Sequence, residues 1–250
     1  MTPRRLLRSP AAGILAFVGL GLCMAALAAE PRPTALAAEP RPTDMNARVA
    51  PCTACHGKEG RATPGGYFPR IAGKPAGYLR NQLVNFREGR RYYAPMTYLL
   101  DHLSDAYLAE IAQHFAALDL PYPAPLPSTA SPAQLERGRA LALDGDAARG
   151  IPACGGCHGR ALTGAAPYIP GLLGLPPDYL AGQIGAWKNG QRRAAKPDCM
   201  AQIAARLTPG DVAAVSAWMA AQPVPGARPR PERSEPRPMR CGSAPESAAP

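Results

Sequence analysis

The feature that most restricts this 250-residue chain is an internal repeat covering nearly everything in it that can pack. Cys52, Cys55 and His56 recur as Cys154, Cys157 and His158. Tyr78, Leu79, Gln82, Phe86 and Gly89 recur as Tyr179, Leu180, Gln183, Trp187 and Gly190. Met96 matches Met200, and Leu103, Ser104, Leu108, Ile111 and Phe115 match Leu207, Thr208, Val212, Val215 and Met219. The offset drifts along the chain, as small loop insertions would make it. Such a chain folds as two copies of one small unit, expected at 44–118 and 133–222. Residues 119–132, DLPYPAPLPSTASP, lie between them; their prolines lack amide donors and favour an extended path, so they read as a linker.

Within each copy, apolar residues recur at three and four positions, notably over 78–86 and 103–118, which predicts helices. Ser104 and Thr208 stand where N-caps belong, and Ser131, Pro132 and Gln134 read as a capping-box start. Strand signals are weak throughout, so the expected fold is all-α. Each copy holds well under ~100 residues, a size at which a polypeptide core alone is marginal. A large apolar cofactor would supply the missing core.

The cysteines say which cofactor. Cys52-Thr53-Ala54-Cys55-His56 and Cys154-Gly155-Gly156-Cys157-His158 are both C-x-x-C-H, the attachment signal for c-type haem. Two thiols three positions apart on a helical turn can bond the two vinyl groups, and the following imidazole then lies under the iron. A redox dithiol or a zinc half-site is the blander reading of one such motif; two inside a whole-unit repeat argue for two covalently bound haem c groups. Met96 and Met200 are the expected second axial ligands beside His56 and His158, because a soft thioether suits haem iron and both lie in turn-prone segments, YYAPMT and PDCMAQ. His102 and His114 have no histidine counterparts in the second copy and read as surface or core residues. A ligating imidazole normally donates its other N–H to a carbonyl. Pro69 and Pro170, which precede Gly73 and Gly174, are the candidates to supply it.

Arg4, Arg5 and Arg8 precede an uncharged apolar run over 11–29 that ends in small residues, with Ala26, Leu27 and Ala28 as an A-x-A site: a cleaved secretory signal, 1–29. The protein is therefore expected in the periplasm, membrane-anchored only if the signal is retained. Cys23 follows Leu22 rather than a small residue, which argues against lipidation. Residues 26–34, ALAAEPRPT, repeat letter for letter at 35–43, so 30–43 reads as a duplicated unstructured leader with a second potential processing site after Ala38. The tail, 223–250, is rich in Pro, Arg, Glu and Ser and is expected to be disordered. It carries Cys241, which with Cys199 is left over from the motifs; an oxidising compartment permits a disulfide between them, and Cys199 as a thiolate ligand in place of Met200 is a further option. Twenty-eight basic and 18 acidic residues give +10, or +7 without the signal's three arginines, with no dense basic tract; this argues against nucleic acid and for an acidic docking surface on a partner. Arg87, Arg90 and Arg91 correspond to Lys188, Arg192 and Arg193, groups that could guide docking, offset haem propionates or form a solvated helix end.

Together these residues resemble the class I cytochromes c, and the two-unit arrangement is similar to the dihaem cytochrome c-four family of bacterial periplasms. The match runs over 44–221 and includes both C-x-x-C-H motifs, the repeated Tyr-Leu-x-x-Gln helix, Pro95-Met96 and the Leu-(Ser/Thr) helix starts. The resemblance implies two tandem class I domains, each wrapped around one covalent haem with His/Met axial ligation. It also implies electron shuttling with membrane-bound respiratory complexes such as a terminal oxidase, or with a periplasmic dehydrogenase. The stretch before Cys52 is short for the family, Cys199 before Met200 is unusual, and the tail is long. Saturated irons favour outer-sphere one-electron transfer over catalysis, with no small-molecule substrate. The alternatives are a haem subunit of a larger dehydrogenase, a dihaem peroxidase, which needs one open iron, and a haem-based sensor, which needs the same.

Overall fold

Asp44 opens the first helix: its carboxylate accepts from the backbone N–H groups of Asn46 at 3.2 Å and Ala47 at 3.3 Å. That helix, α1 (Met45–His56), carries the first C-x-x-C-H in its last turns and stops at Gly57, whose φ of +75° and contact with the Ala62 carbonyl admit no side chain. The computed structural model describes residues 44–63, 66–226, 231–233 and 236–245; the expected signal and duplicated leader lie outside them. After α1 come α2 (Ala76–Arg87), α3 (Ala94–Leu100) and α4 (Asp105–Ala117), the last capped by Ser104 as its position implies. Val49 of α1, Leu79 of α2, and Ile111 and Phe115 of α4 form the first core.

The second lobe repeats the plan with one more piece. Here α5 (Pro132–Leu143), capped by Ser131, is separate from the short α6 (Gly155–His158) that carries the second motif. Then follow α7 (Pro177–Lys188), α8 (Cys199–Arg206) and α9 (Pro209–Ala221), whose Thr208 and Asp211 complete a reciprocal capping box. Leu180, Val215 and Met219 are buried with Ala142 of α5, and α5 packs along α9 as α1 packs on α4. The fold is predominantly helical in both lobes, as the sequence pattern predicts.

Three details depart from the sequence-based expectations. A small sheet of order β2-β1-β3 exists: β1 (Gly164–Ala166) pairs antiparallel with β2 (Ile169–Pro170) and parallel with β3 (Glu232–Arg233). Strands this short leave no period to read. Met96 and Met200 sit in the first turns of α3 and α8, where Pro95 pre-sets a helical φ and Asp198 caps, rather than in irregular turns. The described part of the tail is not disordered: β3 joins the sheet, Cys241 is buried in a disulfide with Cys199, and Ala244 has no exposed surface. Composition predicts disorder when a segment has little to bury; a covalent bond and a sheet edge supply what hydrophobicity lacks.

The connection between lobes is extended, and it is pinned. Buried Arg70 donates to the carbonyls of Leu120 at 2.7 Å and Pro121 at 3.0 Å while its guanidinium lies 4.1 Å over the Tyr122 ring. The amide of Leu126 donates to Ala220 at 3.1 Å.

Candidate functional site

In each lobe the residue after the second motif cysteine is a buried histidine whose Nδ1 lies against a proline carbonyl. His56 Nδ1 is 2.8 Å from the Pro69 oxygen, and His158 Nδ1 is 2.7 Å from that of Pro170. A carbonyl can only accept, so Nδ1 carries the proton and Nε2 keeps its lone pair. Burial pushes both imidazoles below their ordinary pKa; the proline carbonyls oppose the shift, while Arg91 and Lys74 respectively add to it. A neutral imidazole with a free Nε2 is the state a metal requires.

Burial pushes the Cys52 and Cys154 thiols up to about 11. A redox dithiol or a zinc half-site needs thiolates, which this environment disfavours. Among the described residues no group of three or more His, Cys, Asp or Glu is placed to hold a metal ion by itself.

The second lobe brings its motif together around one largely apolar cavity. Cys154, Cys157, His158 and Met200 all line it, with Leu180, Ile184 and Val215 among its walls. Polar groups interrupt the apolar surface, among them the cations Lys74, Arg192 and Arg237 and the indole of Trp187. Trp187 Nε1 is buried without a hydrogen-bond partner among the described residues. A buried indole donor and several cations in a largely apolar pocket suit a flat apolar macrocycle bearing carboxylates, so the residues present fit haem.

In the first lobe, Cys52 packs on the Val49–Phe115 cluster and Met96 on a neighbouring one of Phe86, Leu100 and Leu108; Leu83 and Leu103 touch both. A chain of edge-on rings joins the two ends: His56 to Phe68 at 6.1 Å, and Phe68 to Tyr93, the residue before α3, at 6.5 Å. His102 is 94% exposed beside Asp101, and His114 lies along α4 against Phe115; neither approaches the motif cluster.

The two basic groups found by the repeat make specific contacts within the chain, although Lys188 and Arg193 are also exposed. Arg87 donates to the Leu103 carbonyl at 2.7 Å and Lys188 to that of Leu207 at 2.7 Å, the same clamp in each lobe. Arg91 and Arg192 meet at the lobe interface about a local two-fold. Arg91 donates to Gln183 at 2.7 Å and Gln82 at 3.1 Å; Arg192 donates to Gln82 at 2.9 Å and Gln183 at 2.7 Å. Arg91 lies 4.5 Å over the Phe86 ring and Arg192 lies 3.8 Å over that of Trp187. Backbone bonds flank them, Tyr92 N–H to Gln191 at 3.2 Å and Arg193 N–H to Arg90 at 2.7 Å. Burial, then the neighbouring Arg91, pushes Arg192 down to about 10. Sequence reasoning matched Gln82 with Gln183 and one basic group with the other but gave no sign that Arg91, Arg192 and the two glutamines meet, and it passed over Lys74, Trp187 and Met239 as cavity residues.

No family model matches the chain. It is 40% identical over 177 residues to the thiosulfate dehydrogenase electron acceptor of Thiomonas intermedia, spanning 70% of this chain and 80% of that protein. It is 37% identical over 175 residues to cytochrome c4 of Pseudomonas aeruginosa, 69% of this chain and 84% of that one. Among solved structures it is similar to reduced cytochrome c4 from Pseudomonas stutzeri, with a TM-score of 0.59 and 32% identity over 70% of this chain and 95% of that one. A thiosulfate dehydrogenase from Marichromatium purpuratum gives a TM-score of 0.62 at 32% identity, covering 69% of this chain and 36% of the larger one.

Proposed function

The chain belongs to the dihaem cytochrome c4 family, and from that premise we propose that it works in the periplasm, carrying single electrons from a dehydrogenase to a membrane-bound respiratory acceptor such as a terminal oxidase. It carries two covalently bound haem c groups and transfers electrons, as cytochromes c4 do. Each haem, when bound, supplies a one-electron ferric/ferrous couple. The chain's own residues do the rest. Cys52 and Cys55 attach one haem and Cys154 and Cys157 the other. His56 and His158 would offer Nε2 to iron, oriented by the carbonyls of Pro69 and Pro170, with Met96 and Met200 as the second protein ligands.

The observation that carries this reading is the convergence of Cys154, Cys157, His158 and Met200 on one apolar cavity, within a repeat that duplicates the same residues. Two protein ligands per iron would leave no position for a substrate, which favours a carrier over a peroxidase or a sensor. Among the described residues no helix is long and apolar enough to cross a membrane.

Two curated relatives, at 40% and 35% identity, are named electron acceptors of thiosulfate dehydrogenase. They favour that enzyme as the electron donor here, which refines the dehydrogenase-subunit alternative into a partnership. The test is anaerobic mixing of the oxidised holoprotein with thiosulfate and a catalytic amount of a thiosulfate dehydrogenase. Reduction of both haems, absent when either component is omitted, is the expected result. If ascorbate reduces both haems and the enzyme with thiosulfate reduces neither, the donor is a different dehydrogenase.

A further inference from the structure

The tail, which the carrier reading does not use, is attached to the second lobe at five points around its cofactor cavity. The Glu232 carboxylate accepts from the backbone N–H groups of Arg160 at 3.0 Å and Ala161 at 2.9 Å, just past His158. In the same strand, β3 extends the sheet beside β1. Pro238 lies against Gly156, between the two motif cysteines, where a Cβ would be 3.7 Å from its ring. Gly242 donates to the Pro197 carbonyl at 2.9 Å and approaches so closely that a Cβ there would lie 2.2 Å from the Lys196 oxygen. Cys241 is bonded to Cys199, the residue before Met200. As a result Met239, Cys241 and Ser243 form part of the wall of the cavity that Cys154, Cys157, His158 and Met200 also line. Asn81 of the first lobe reaches the same strap, donating to the Ser243 carbonyl at 2.7 Å.

We propose that the tail is a disulfide-latched strap over the second haem, and that a dithiol reductant opens it by reducing Cys199–Cys241, lowering the potential of the second haem and leaving the first unchanged. The proposal rests on the reading that Cys154, Cys157 and His158 hold a haem. The chemistry is thiol–disulfide exchange: one thiolate of the dithiol attacks a sulfur of the bond, its second thiol resolves the mixed disulfide, and two electrons and two protons pass to Cys199 and Cys241 as the dithiol becomes a disulfide. The latch matters because the segment on either side of it is poor in apolar side chains, so its hold depends on a few polar contacts once the covalent bond is gone. Water then reaches the haem wall and favours the more highly charged ferric state, which lowers the potential. The first lobe has no such strap among the described residues, so it serves as an internal reference.

The test compares three preparations of the assembled holoprotein, each checked by intact mass for two haems: untreated, treated with a water-soluble trialkylphosphine, and the double variant Cys199→Ser/Cys241→Ser. Spectroelectrochemical titration and tryptic cleavage after Arg240 are the readouts. The expected result is a lowered potential for one haem in the phosphine-treated and variant proteins, the other potential unmoved, and cleavage faster by about tenfold or more. If both potentials are unchanged, or both move together, or cleavage is no faster, the strap is not a latch. Should the variant assemble with a single haem, phosphine treatment of the assembled native protein decides alone. If the untreated protein itself lacks two haems, it is the carrier reading that fails.

Discussion

The two lobes share the residues proposed to hold haem and differ in how those residues are enclosed. His56 and His158 have the same carbonyl partner, Arg87 and Lys188 make the same clamp, and Gly89 and Gly190 take the same left-handed turn. Around that common set the second lobe adds a separate N-terminal helix, a sheet, a disulfide and a strap. In the first lobe, α1 alone supplies both the packing helix and the motif, and Tyr67, Tyr92, Tyr98 and Leu99 are exposed around its Met96 side. Duplication has thus kept the chemistry constant and left closure free to diverge: one lobe presents aromatic surface, the other is strapped shut.

The largest expected effect comes from removing the cofactor one lobe at a time. Cys154→Ala with Cys157→Ala should lower the intact mass by one haem and unfold the second lobe, whose core is completed by the macrocycle, while the first keeps its haem and its spectrum. Retention of native helicity and of the second-lobe melting transition would show that α5 and α9 are sufficient without it.

The next contrast is Asp211, which has no acidic counterpart at the matching Tyr107. Its buried carboxylate takes Arg137 at 2.9 Å, Arg149 at 2.7 Å and the Thr208 N–H at 2.9 Å. Burial alone would raise its pKa, but hydrogen bonds from Arg149, Thr208 and Arg137 hold it well below the usual carboxylate range. Asp211→Ala should destabilise the second lobe by about 2–4 kcal/mol, since it removes half of the capping box and leaves Arg137 and Arg149 with Asp146 as their remaining carboxylate. Because the folded value is depressed, this stability is complete above the unfolded value near ~4 and is lost as pH falls through the folded one. Acid titration followed by second-lobe melting in the native protein and in the Asp211→Ala variant checks it; parallel pH profiles would contradict it. Exposed Asp105 of the first lobe, paired with Arg80 and Arg87, should matter little when changed to Ala, by about 0.5 kcal/mol or less.

A smaller effect is expected where the lobes meet. Arg192→Leu leaves Gln82 and Gln183 sharing only Arg91, a loss of about 1–3 kcal/mol. Hydrogen exchange at the Tyr92 and Arg193 amides, which cross the interface, should quicken while amides inside α4 and α9 stay protected. Unchanged exchange at those two positions would mean that the guanidinium pair does not hold the lobes together.

Much of this was legible in the sequence because the repeat supplied its own check. A proline 13 residues after His56 and 12 after His158 could be picked out as the residue whose carbonyl accepts from the imidazole because it occurred twice. Ser104 and Thr208 were legible as caps because capping is local, set within one helical turn. What escaped has the opposite character. The meeting of Arg91, Arg192, Gln82 and Gln183 is a property of how two copies dock, and no residue spacing encodes it. The tail reads as disordered because composition counts apolar area, whereas Glu232, Gly242 and Cys241 hold it through two amides, a close backbone approach and a covalent bond. A Cys199–Cys241 disulfide was legible as an option because these two cysteines are left over from the motifs, and the structure contains it; the strand and the backbone contacts that return the tail to α8 were not.

The central claim, two six-coordinate haems in a carrier, is tested most directly by one sample. Intact mass counts the covalent haems, and the far-red band from methionine sulfur to ferric iron is compared among the native protein, Met96→Ala and Met200→Ala. The account predicts two haems, with each substitution halving the band. Two haems with a full band after Met200→Ala would move the ligand elsewhere in that cavity wall, where Met239 stands; one native iron lacking the band and binding carbon monoxide would contradict the carrier itself.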